Sequence, residues 1–316
     1  MNIRFAALFL TAIIGIGSAS AASSEAPQSA PGSKIHKKAA PRHVILIGLD
    51  GWGGYSMPKA DMPNVKQQMA RGAWTMKKRS VLPSSSAINW ASMFMGLPTE
   101  GHGYLKWGSK KPELPPIQLS NSADSIPYTI FRILRNQQPK AKIGAVYEWD
   151  GIGYLVDTLA MDMHKNIPCV KNNSDRLTQA AVDYIISDKP SLMAVIYDNP
   201  DHVGHADGHD TPQYYDILNY LDKQIGQIVD ASKKAGIYDD TIFVITADHG
   251  GVNKGHGGPT LLEMQTPLIL AGPGVKNIGE LKSATMQYDT AATIAALLGL
   301  EMPQSWVGRP VAEALE

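Results

Sequence analysis

The sequence has 316 residues, 44% of them hydrophobic and 18% charged, so it is long enough to bury a large core. Lysine and arginine together number 29, as do aspartate and glutamate, and the formal net charge is zero. A chain without net charge has no general electrostatic attraction to nucleic acid or to an anionic membrane. We therefore expect no nucleic-acid polymer as a partner. An anionic substrate would have to be attracted locally, by metal ions or a few cationic side chains.

The first residues have the pattern of an export signal. Arg4 gives a positive start, an apolar run extends from Phe5 to Gly17, and Ala19-Ser20-Ala21 offers a small-residue cleavage site. An uncleaved anchor is the alternative, but the apolar run is short for a membrane span. We predict an exported protein, periplasmic or secreted, with no stable membrane association after signal removal. The predicted parts are a signal peptide at 1–21, a flexible lead-in at 22–41 and a single catalytic domain at 42–316.

Apolar runs and helical spacings alternate along the rest of the chain. In order, they predict a strand at 43–48, a helix at 62–71, a strand at 73–82, helices at 86–95 and 128–136, a strand at 143–147, a helix at 174–186, a strand at 192–197, a helix at 212–236, strands at 242–246 and 267–271, and a helix at 288–298. This order predicts an α/β fold with a mainly parallel central sheet and helices on both faces. The longest irregular stretch, 103–121, is expected to form a surface loop near the site.

Acidic and histidine side chains follow three of the predicted strands. Ligands of open α/β sheets bind at the carboxyl ends of the strands, so these side chains are expected to lie together. Carboxylate oxygen and imidazole nitrogen are the usual donors to zinc and similar ions. A lone aspartate at a strand end is more often a helix cap or turn residue, but three such sites in one sheet make coincidence less probable. The predicted metal ligands are Asp50, Asp201, His205, Asp248, His249 and His256.

A run of serines precedes the predicted helix at 86–95. A serine hydroxyl at a helix start lies beside backbone N–H donors that favour a phosphate, and a base or metal ion can activate it as a nucleophile. The alternative for such a run is a cluster of helix caps. Asn89 lies one turn after Ser86 and is expected to donate its amide to a phosphate oxygen. Ser86 is the predicted nucleophile, and Ser85 is the alternative.

The chain resembles the alkaline phosphatase superfamily, and within it the type I phosphodiesterase/nucleotide pyrophosphatase branch. The resemblance covers roughly residues 42–300 and depends on several motifs in a fixed order. These motifs are Gly48-Leu49-Asp50-Gly51, Ser86-Ala87-Ile88-Asn89 followed by Gly96 and Gly101-His102-Gly103, Pro200-Asp201-His202-Val203-Gly204-His205, Ala247-Asp248-His249-Gly250, and Gly255-His256-Gly257. The family's usual nucleophile is threonine and the usual residue two positions on is proline, whereas this chain has Ser86 and Ile88. No arginine follows the serine run in the pattern of the sulfatases.

The resemblance implies a role for each matched residue. Two zinc ions are implied as cofactors. One would be held by Asp201, His205 and His256. The other would be held by Asp50, Asp248 and His249 and reached by Ser86, with Asn89 on a non-bridging phosphate oxygen. Manganese would also suit an oxygen-rich site.

The expected substrate is a small-molecule phosphate ester. Lys106 and Lys254 are candidate cations for the extra charge of a monoester, although surface lysines are common. Trp90, Tyr104 and Trp149 are candidates to stack on a nucleoside or an aromatic leaving group, although large aromatics more often lie in the core. A phosphodiesterase is the first choice and a phosphomonoesterase the second. A non-catalytic metal-binding or partner-binding protein on the same fold is the third.

The remaining histidines near the motifs have weaker assignments. His102 lies between two glycines and is expected to fix a turn rather than to bind metal. His202 and His209 flank the ligand segment, and each is a candidate to orient a metal ligand by a hydrogen bond.

Overall fold

The computed structural model describes residues 43–120 and 126–316. The predicted signal peptide and lead-in lie outside these residues and stay predictions. Within the described part of the chain, we find no helix with the length and apolar character needed to cross a membrane.

Eight strands form one mixed sheet. In sheet order they run β4-β3-β5-β1-β6-β7-β2-β8. Strand β7 is antiparallel to both of its neighbours, and the other pairs are parallel, which confirms the predicted, mainly parallel sheet. The strands are β1 (His43–Leu49), β2 (Gly72–Arg79), β3 (Ile143–Tyr147), β4 (Met163–Asn166), β5 (Leu192–Tyr197), β6 (Thr241–Thr246), β7 (Gln265–Ala271) and β8 (Gly279–Glu280).

Helices cover both faces of the sheet. Strand β1 shows why: Val44 and Leu46 pack into one apolar core, whereas Ile45 and Ile47 pack into the other, because side chains alternate along a strand. Helices α2, α4 and α9 contribute to the first core and α1, α5 and α7 to the second. The helices are α1 (Pro63–Met69), α2 (Ser86–Met95), α3 (Thr99–His102), α4 (Ile130–Gln137), α5 (Asp175–Asp188), α6 (Asp201–Asp207), α7 (Pro212–Lys234), α8 (Leu261–Met264) and α9 (Asp289–Leu297).

Strands β4 and β8 are absent from the sequence prediction. Both lie at the edges of the sheet. Strand β4 has the sequence Met-His-Lys-Asn and is mostly exposed, and β8 has only two residues. Short polar edge strands carry neither the apolar run nor the alternation by which a strand is recognised.

The central strands determine where the site lies. Strand β1 pairs in parallel with β5 on one side and with β6 on the other. The residues that follow these three strands therefore meet at one edge of the sheet. Asp50 follows β1, Asp201 begins α6 just after β5, and Asp248 follows β6.

Candidate active site

Three polar side chains converge on the Nε2 atom of His249, and together with it they form what we call the inner cluster (Asp50, Ser86, Asp248 and His249). Nε2 lies 3.2 Å from Oγ of Ser86, 3.4 Å from Oδ1 of Asp50 and 3.2 Å from Oδ2 of Asp248. Four ligands of a tetrahedral zinc ion, with bonds of about 2.0 Å, lie about 3.3 Å from one another. The observed separations fit that geometry, so these atoms could hold a divalent ion.

A second group of side chains lies beside it, the outer cluster (Asp201, His205 and His256). Nε2 of His205 is 3.1 Å from Oδ2 of Asp201 and 3.2 Å from Nε2 of His256. Nε2 of His256 is 3.8 Å from the same Asp201 oxygen. These donor atoms are close enough to share one ion. Oxygens of Asp201 also lie near Asp50 and His249, so this aspartate lies between the two clusters.

The three imidazoles present their Nε2 atoms to the clusters because backbone carbonyls bind their Nδ1 atoms. Nδ1 lies 2.8 Å from the Gly250 oxygen in His249, 2.9 Å from the Lys254 oxygen in His205, and 3.0 Å from the Ser84 oxygen in His256. A carbonyl can only accept, so each Nδ1 carries the proton. Nε2 is therefore the nitrogen that can supply a lone pair to a metal ion when the ring is neutral.

Without a cation, the ionised forms of the inner carboxylates are unfavourable, because they are buried and lie close to other carboxylates. Burial, together with the neighbouring carboxylates, holds the pKa of Asp50 and of Asp248 well above the usual range. Burial also acts on Asp201, but the imidazoles of His205 and His209 outweigh it and lower its pKa. The Asp201 carboxylate in turn raises the pKa of His205 to about 9.

Unpartnered buried atoms give an independent test of whether metal ions fit. Oδ1 of Asp201 and Oδ2 of Asp248 are buried and have no hydrogen-bond partner. Buried polar atoms are otherwise nearly always satisfied, since an unmet one costs free energy. Burial also lowers the pKa of His249 to about 3, so its ring is neutral and free to ligate. The residues present therefore suit the binding of divalent metal ions.

Ser86 is placed by the first turn of α2. Ser85 is the N-cap in an extended conformation, and the helix ends where Gly96 takes φ +63°, a left-handed value that glycine tolerates. Oγ of Ser86 also lies 3.4 Å from Oδ1 of Asp50. Oγ of Ser85 instead lies 3.5 Å from Nδ1 of His256, on the side of the outer cluster.

The expected contact of Asn89 with a phosphate oxygen is not found, and that prediction is wrong. The Asn89 side chain is fully buried. Its Nδ2 faces the carbonyl oxygens of Val81, Pro83 and Ser85, and its Oδ1 accepts from the Val81 N–H at 2.7 Å. Asn89 thus holds the loop that leads into α2 and has no amide hydrogen left for a substrate.

Trp90 was predicted to contact the substrate, and the structure does not place it there. Its indole is fully buried, and Nε1 donates to Oδ2 of Asp50 at 3.0 Å. Trp90 therefore orients the Asp50 carboxylate of the inner cluster rather than a substrate ring. Tyr104 is likewise fully buried.

The clusters open into a cavity of about 500 Å³. Lys106 does not line it, which contradicts its prediction as a substrate contact, because the loop directs this lysine into a neighbouring cavity. Lys254 does not line it either, and its Nζ donates to the Ala206 carbonyl. The cavity is lined by Asp50, Ser85, Ser86, Trp107, Trp149, Asp198, Asp201, His202, His205 and His256.

The other histidines separate as follows. The His102 ring is buried, with Nε2 3.0 Å from the Ser92 hydroxyl and Nδ1 accepting from the Tyr104 N–H. These contacts support the turn, as predicted. Burial also lowers the pKa of His102 to about 3. Nε2 of His209 lies 3.5 Å from the free Oδ1 of Asp201. Built Cβ atoms on Gly204 and Gly251 would lie within 2.4 Å of its ring, so only glycine leaves room for it. His202 lines the cavity instead.

Sequence reasoning assigned no role to four side chains around the site. Trp107 and Asp198 line the cavity. Lys78 is fully buried, and its Nζ donates to the Thr246 hydroxyl and to the carbonyl of Ala247, next to Asp248. Glu148 is buried and its Oε2 accepts from the Asp198 N–H at 2.8 Å. Asp198 and Glu148 each follow a predicted strand, which was the signal available for them.

Comparison with known proteins agrees with this geometry. The family model described as type I phosphodiesterase / nucleotide pyrophosphatase matches residues 44–257. GPI ethanolamine phosphate transferase 3 of Schizosaccharomyces pombe is 30% identical over 52% of the chain and 18% of that protein. Ectonucleotide pyrophosphatase/phosphodiesterase family member 3 of Mus musculus is 24% identical over 72% of the chain and 26% of that protein. The chain thus spans about a quarter or less of the length of these two relatives.

Solved structures share the fold. Murine ectonucleotide pyrophosphatase/phosphodiesterase 5 superposes with a TM-score of 0.70 at 16% identity, covering 87% of this chain and 100% of that one. A 2-O GAG sulfatase gives a TM-score of 0.66 at 16% identity, over 87% of this chain and 74% of that one. At such identities the likeness shows the alkaline-phosphatase-like fold alone. The family match, however, spans most of the chain and all six predicted metal ligands: the chain belongs to the type I phosphodiesterase/nucleotide pyrophosphatase family.

Proposed function

We propose that the protein is a phosphodiesterase that uses Ser86 as its nucleophile and two divalent metal ions, with zinc favoured. The observation that carries the proposal is the position of the Ser86 hydroxyl. It lies at the start of α2, within 3.4 Å of Asp50 and 3.2 Å of His249, and it lines an open cavity. A serine that only capped the helix would have no reason to lie among metal-binding side chains.

The two clusters are the proposed metal sites. Asp50, Asp248 and His249 would hold one ion and Asp201, His205 and His256 the other. Bound divalent ions would lower the pKa of an adjacent hydroxyl and stabilise negative charge on phosphate oxygens. Imidazole and carboxylate in this mixture favour zinc.

The chain's own contribution to the reaction is positioning. Oγ of Ser86 would form a bond to phosphorus while the bond from phosphorus to the leaving oxygen breaks. The hydroxyl proton of Ser86 would pass to solvent, and the first product would leave as an alcohol, with a proton taken from solvent, or as a stable anion such as p-nitrophenolate. Water would then attack the phosphoserine, release the second product and restore the hydroxyl. Trp90 donates a hydrogen bond that holds Asp50 in place, so that little rearrangement of this carboxylate is needed during either displacement.

A diester fits the cavity better than a monoester. A monoester carries a second negative charge, and the described residues that line the cavity include no lysine or arginine. A phosphomonoesterase is therefore the second candidate. The names of relatives favour small phosphate esters as well: mouse enpp4 is a bis(5'-adenosyl)-triphosphatase, and a solved form of murine ectonucleotide pyrophosphatase/phosphodiesterase 5 is in complex with AMP. An exported, periplasmic or secreted location remains part of the proposal.

One assay separates the three functions under consideration. Zinc-loaded protein would be given bis-p-nitrophenyl phosphate and p-nitrophenyl phosphate, with metal content measured alongside. We expect a higher kcat/KM on the diester and two zinc ions per chain. Preference for the monoester would reverse the order of the two hydrolase candidates. Bound zinc with no activity on either ester would favour a binding protein.

A further inference from the structure

Lys78 carries a buried amine that the proposed chemistry does not use. Its side chain is fully buried, although lysine is rarely buried completely unless it is paired. Nζ donates to Oγ1 of Thr246 at 2.6 Å and to the carbonyl oxygen of Ala247 at 2.8 Å. Lys78 belongs to β2 and both acceptors lie where β6 ends, so the side chain reaches past β7, which lies between these strands in the sheet. The amine therefore binds the peptide that leads into Asp248.

A second buried donor binds the same carbonyl. Gln287 is fully buried, and its Nε2 lies 3.2 Å from the Ala247 oxygen and 3.3 Å from the carbonyl oxygen of Asn89 in α2. The backbone N–H of Gln287 donates to the carbonyl of Arg79, the residue after Lys78, at 2.8 Å. The Ala247 oxygen thus accepts from two buried side chains, and one of them also holds the helix that carries the proposed nucleophile.

These contacts bear directly on the position of Asp248. The peptide between Ala247 and Asp248 is planar, so fixing the carbonyl oxygen also fixes the direction in which the backbone enters Asp248. The Asp248 side chain is held separately, because its Oδ1 accepts from the Gly51 N–H at 3.1 Å. Its Oδ2 lies 3.2 Å from Nε2 of His249. The place of this carboxylate in the inner cluster therefore depends on the two donors to Ala247 as well as on Gly51.

The amine of Lys78 is costly to bury. Burial lowers the pKa of Lys78 to about 7, whereas the carboxylates of Asp248 and, less strongly, Asp289 act in the opposite direction. A methionine of similar length would fill this part of the core without the cost of burying an amine. The contacts that offset this cost lie at the end of β6, next to a side chain of the inner cluster. They suit a residue that serves the site as well as the core.

We propose that Lys78 and Gln287 are positioning residues, which act through the Ala247 carbonyl to hold Asp248 in a fixed place relative to Ser86. Lys78 supplies the bond from β2, and Gln287 connects the same carbonyl to α2. Bonds that orient a metal ligand are worth about 10- to 100-fold in metal affinity. A displacement of about 1 Å among reacting groups can cost about 10²-fold in rate. The inference rests on the proposed metal-dependent function and adds two residues that act on it from the core.

The test replaces each donor by methionine, which keeps much of the side-chain length but donates no hydrogen bond. For Lys78→Met and Gln287→Met we expect zinc affinity, measured by competition with a fluorescent chelator, to fall by about ten-fold or more. We expect kcat on bis-p-nitrophenyl phosphate to fall by about ten-fold and KM to change by less than about two-fold, because the bonds position reacting groups rather than substrate.

Thr241→Val is the matched control. It removes a buried 2.7 Å hydrogen bond to the Ile237 carbonyl at the other end of β6, so it costs stability without touching the site. Its zinc affinity and kcat should equal those of the wild type, and urea unfolding gives the stability of each variant. If the two methionine variants lose stability as Thr241→Val does but keep wild-type zinc affinity and kcat, their role is purely structural and the inference is overturned.

A spectroscopic measurement decides the inference without turnover. The visible spectrum of cobalt-loaded protein reports the geometry of the metal ligands, and we expect it to change in both methionine variants but not in Thr241→Val. Spectra identical to the wild type would overturn the inference. If Lys78→Met does not fold, Gln287→Met decides alone, because it removes no charge. If the wild type binds zinc but cleaves no ester, the phosphodiesterase proposal fails, while zinc affinity and the cobalt spectrum still test the positioning of Asp248.

Discussion

The inner and outer clusters contain similar donors but differ in how the fold supports them. The His249 side chain is fully buried, and the cluster around it is built on the ends of the central strands β1 and β6 and on the first turn of α2. The His205 side chain is 49% exposed, and its cluster is built on the seven-residue helix α6 and the glycine-rich loop that carries His256. The inner site is therefore buried throughout, whereas the outer site is buried at Asp201 and His256 and open to solvent at His205.

This difference bears on how tightly each site would hold an ion. Buried side chains that are fixed by a core lose little conformational freedom when they bind an ion, and the bound ion exchanges slowly with solvent. Exposed side chains on short elements lose more conformational freedom, because binding must first order them. We infer that the inner site is the more permanent of the two, and that the outer site opens to exchange with solvent. The following experiments test that comparison, beginning with the largest expected effect.

Ser86→Ala should remove nearly all turnover while leaving metal content near that of the wild type. The variant loses the hydroxyl proposed to attack phosphorus but keeps three protein donors in the inner cluster. We expect kcat to fall by at least about 10³-fold, a scale typical for loss of a nucleophile. Ser85→Ala is the matched control, and its loss should stay below about ten-fold. A larger loss in Ser85→Ala than in Ser86→Ala would move the nucleophile to the neighbouring position.

His205→Ala should remove the outer ion alone. The substitution deletes a ligand that is close to both Asp201 and His256, so the outer cluster retains two donors. We expect about one zinc per chain after dialysis instead of two, measured by elemental analysis. Chelator titration of the wild type should likewise release zinc in two steps, the first lost without unfolding. Simultaneous release of both ions would contradict the difference between the clusters.

Trp90→Phe should weaken the inner site without emptying it. The variant keeps the aromatic packing but loses the 3.0 Å hydrogen bond to Asp50. Loss of such an orienting bond costs about 10-fold or more in metal affinity. The control is Trp306→Phe, which removes an indole hydrogen bond to the Tyr128 carbonyl at the opposite end of α2 from Ser86 and should leave zinc affinity unchanged. Competition with a fluorescent zinc chelator gives both affinities.

Glu148 should make folding stability fall as pH rises from 5 to 8. Burial raises its pKa to about 7, above the value of about 4.3 in the unfolded chain. Between these values the folded state binds more protons than the unfolded state, so the unfolding free energy decreases with pH. The decrease should be on the order of 2 kcal/mol. Urea unfolding of metal-free wild type and Glu148→Gln should show the slope in the wild type and a flatter curve in the variant.

The sequence pattern located the acidic side chains of the site best, because each of them follows a predicted strand. Asp50, Asp201 and Asp248 follow apolar runs that have the length of buried strands, and parallel pairing brings such positions together. The imidazoles of His205 and His256 could be grouped with them because glycines and a helical turn flank them.

The errors concern side-chain direction, which spacing alone does not determine. Asn89 and Ser86 are three residues apart in α2, yet Asn89 turns toward the carbonyls of the preceding loop. Trp90 carries a large apolar ring, and burying it against the core outweighs any use at the surface. Trp107 was overlooked because an irregular loop has no period from which exposure could be inferred.

The position of β1 between β5 and β6 has a consequence for the order of events during synthesis. Strand β1 ends at Leu49, but its partners end at Tyr197 and Thr246, so its two parallel pairings close loops of well over a hundred residues. Contacts so distant in sequence form slowly, because closing the loops between them costs conformational entropy. The inner cluster then cannot exist until most of the chain has left the ribosome, and His256 follows later still. Metal binding would accordingly follow the folding of the sheet and stabilise it, rather than nucleate its folding.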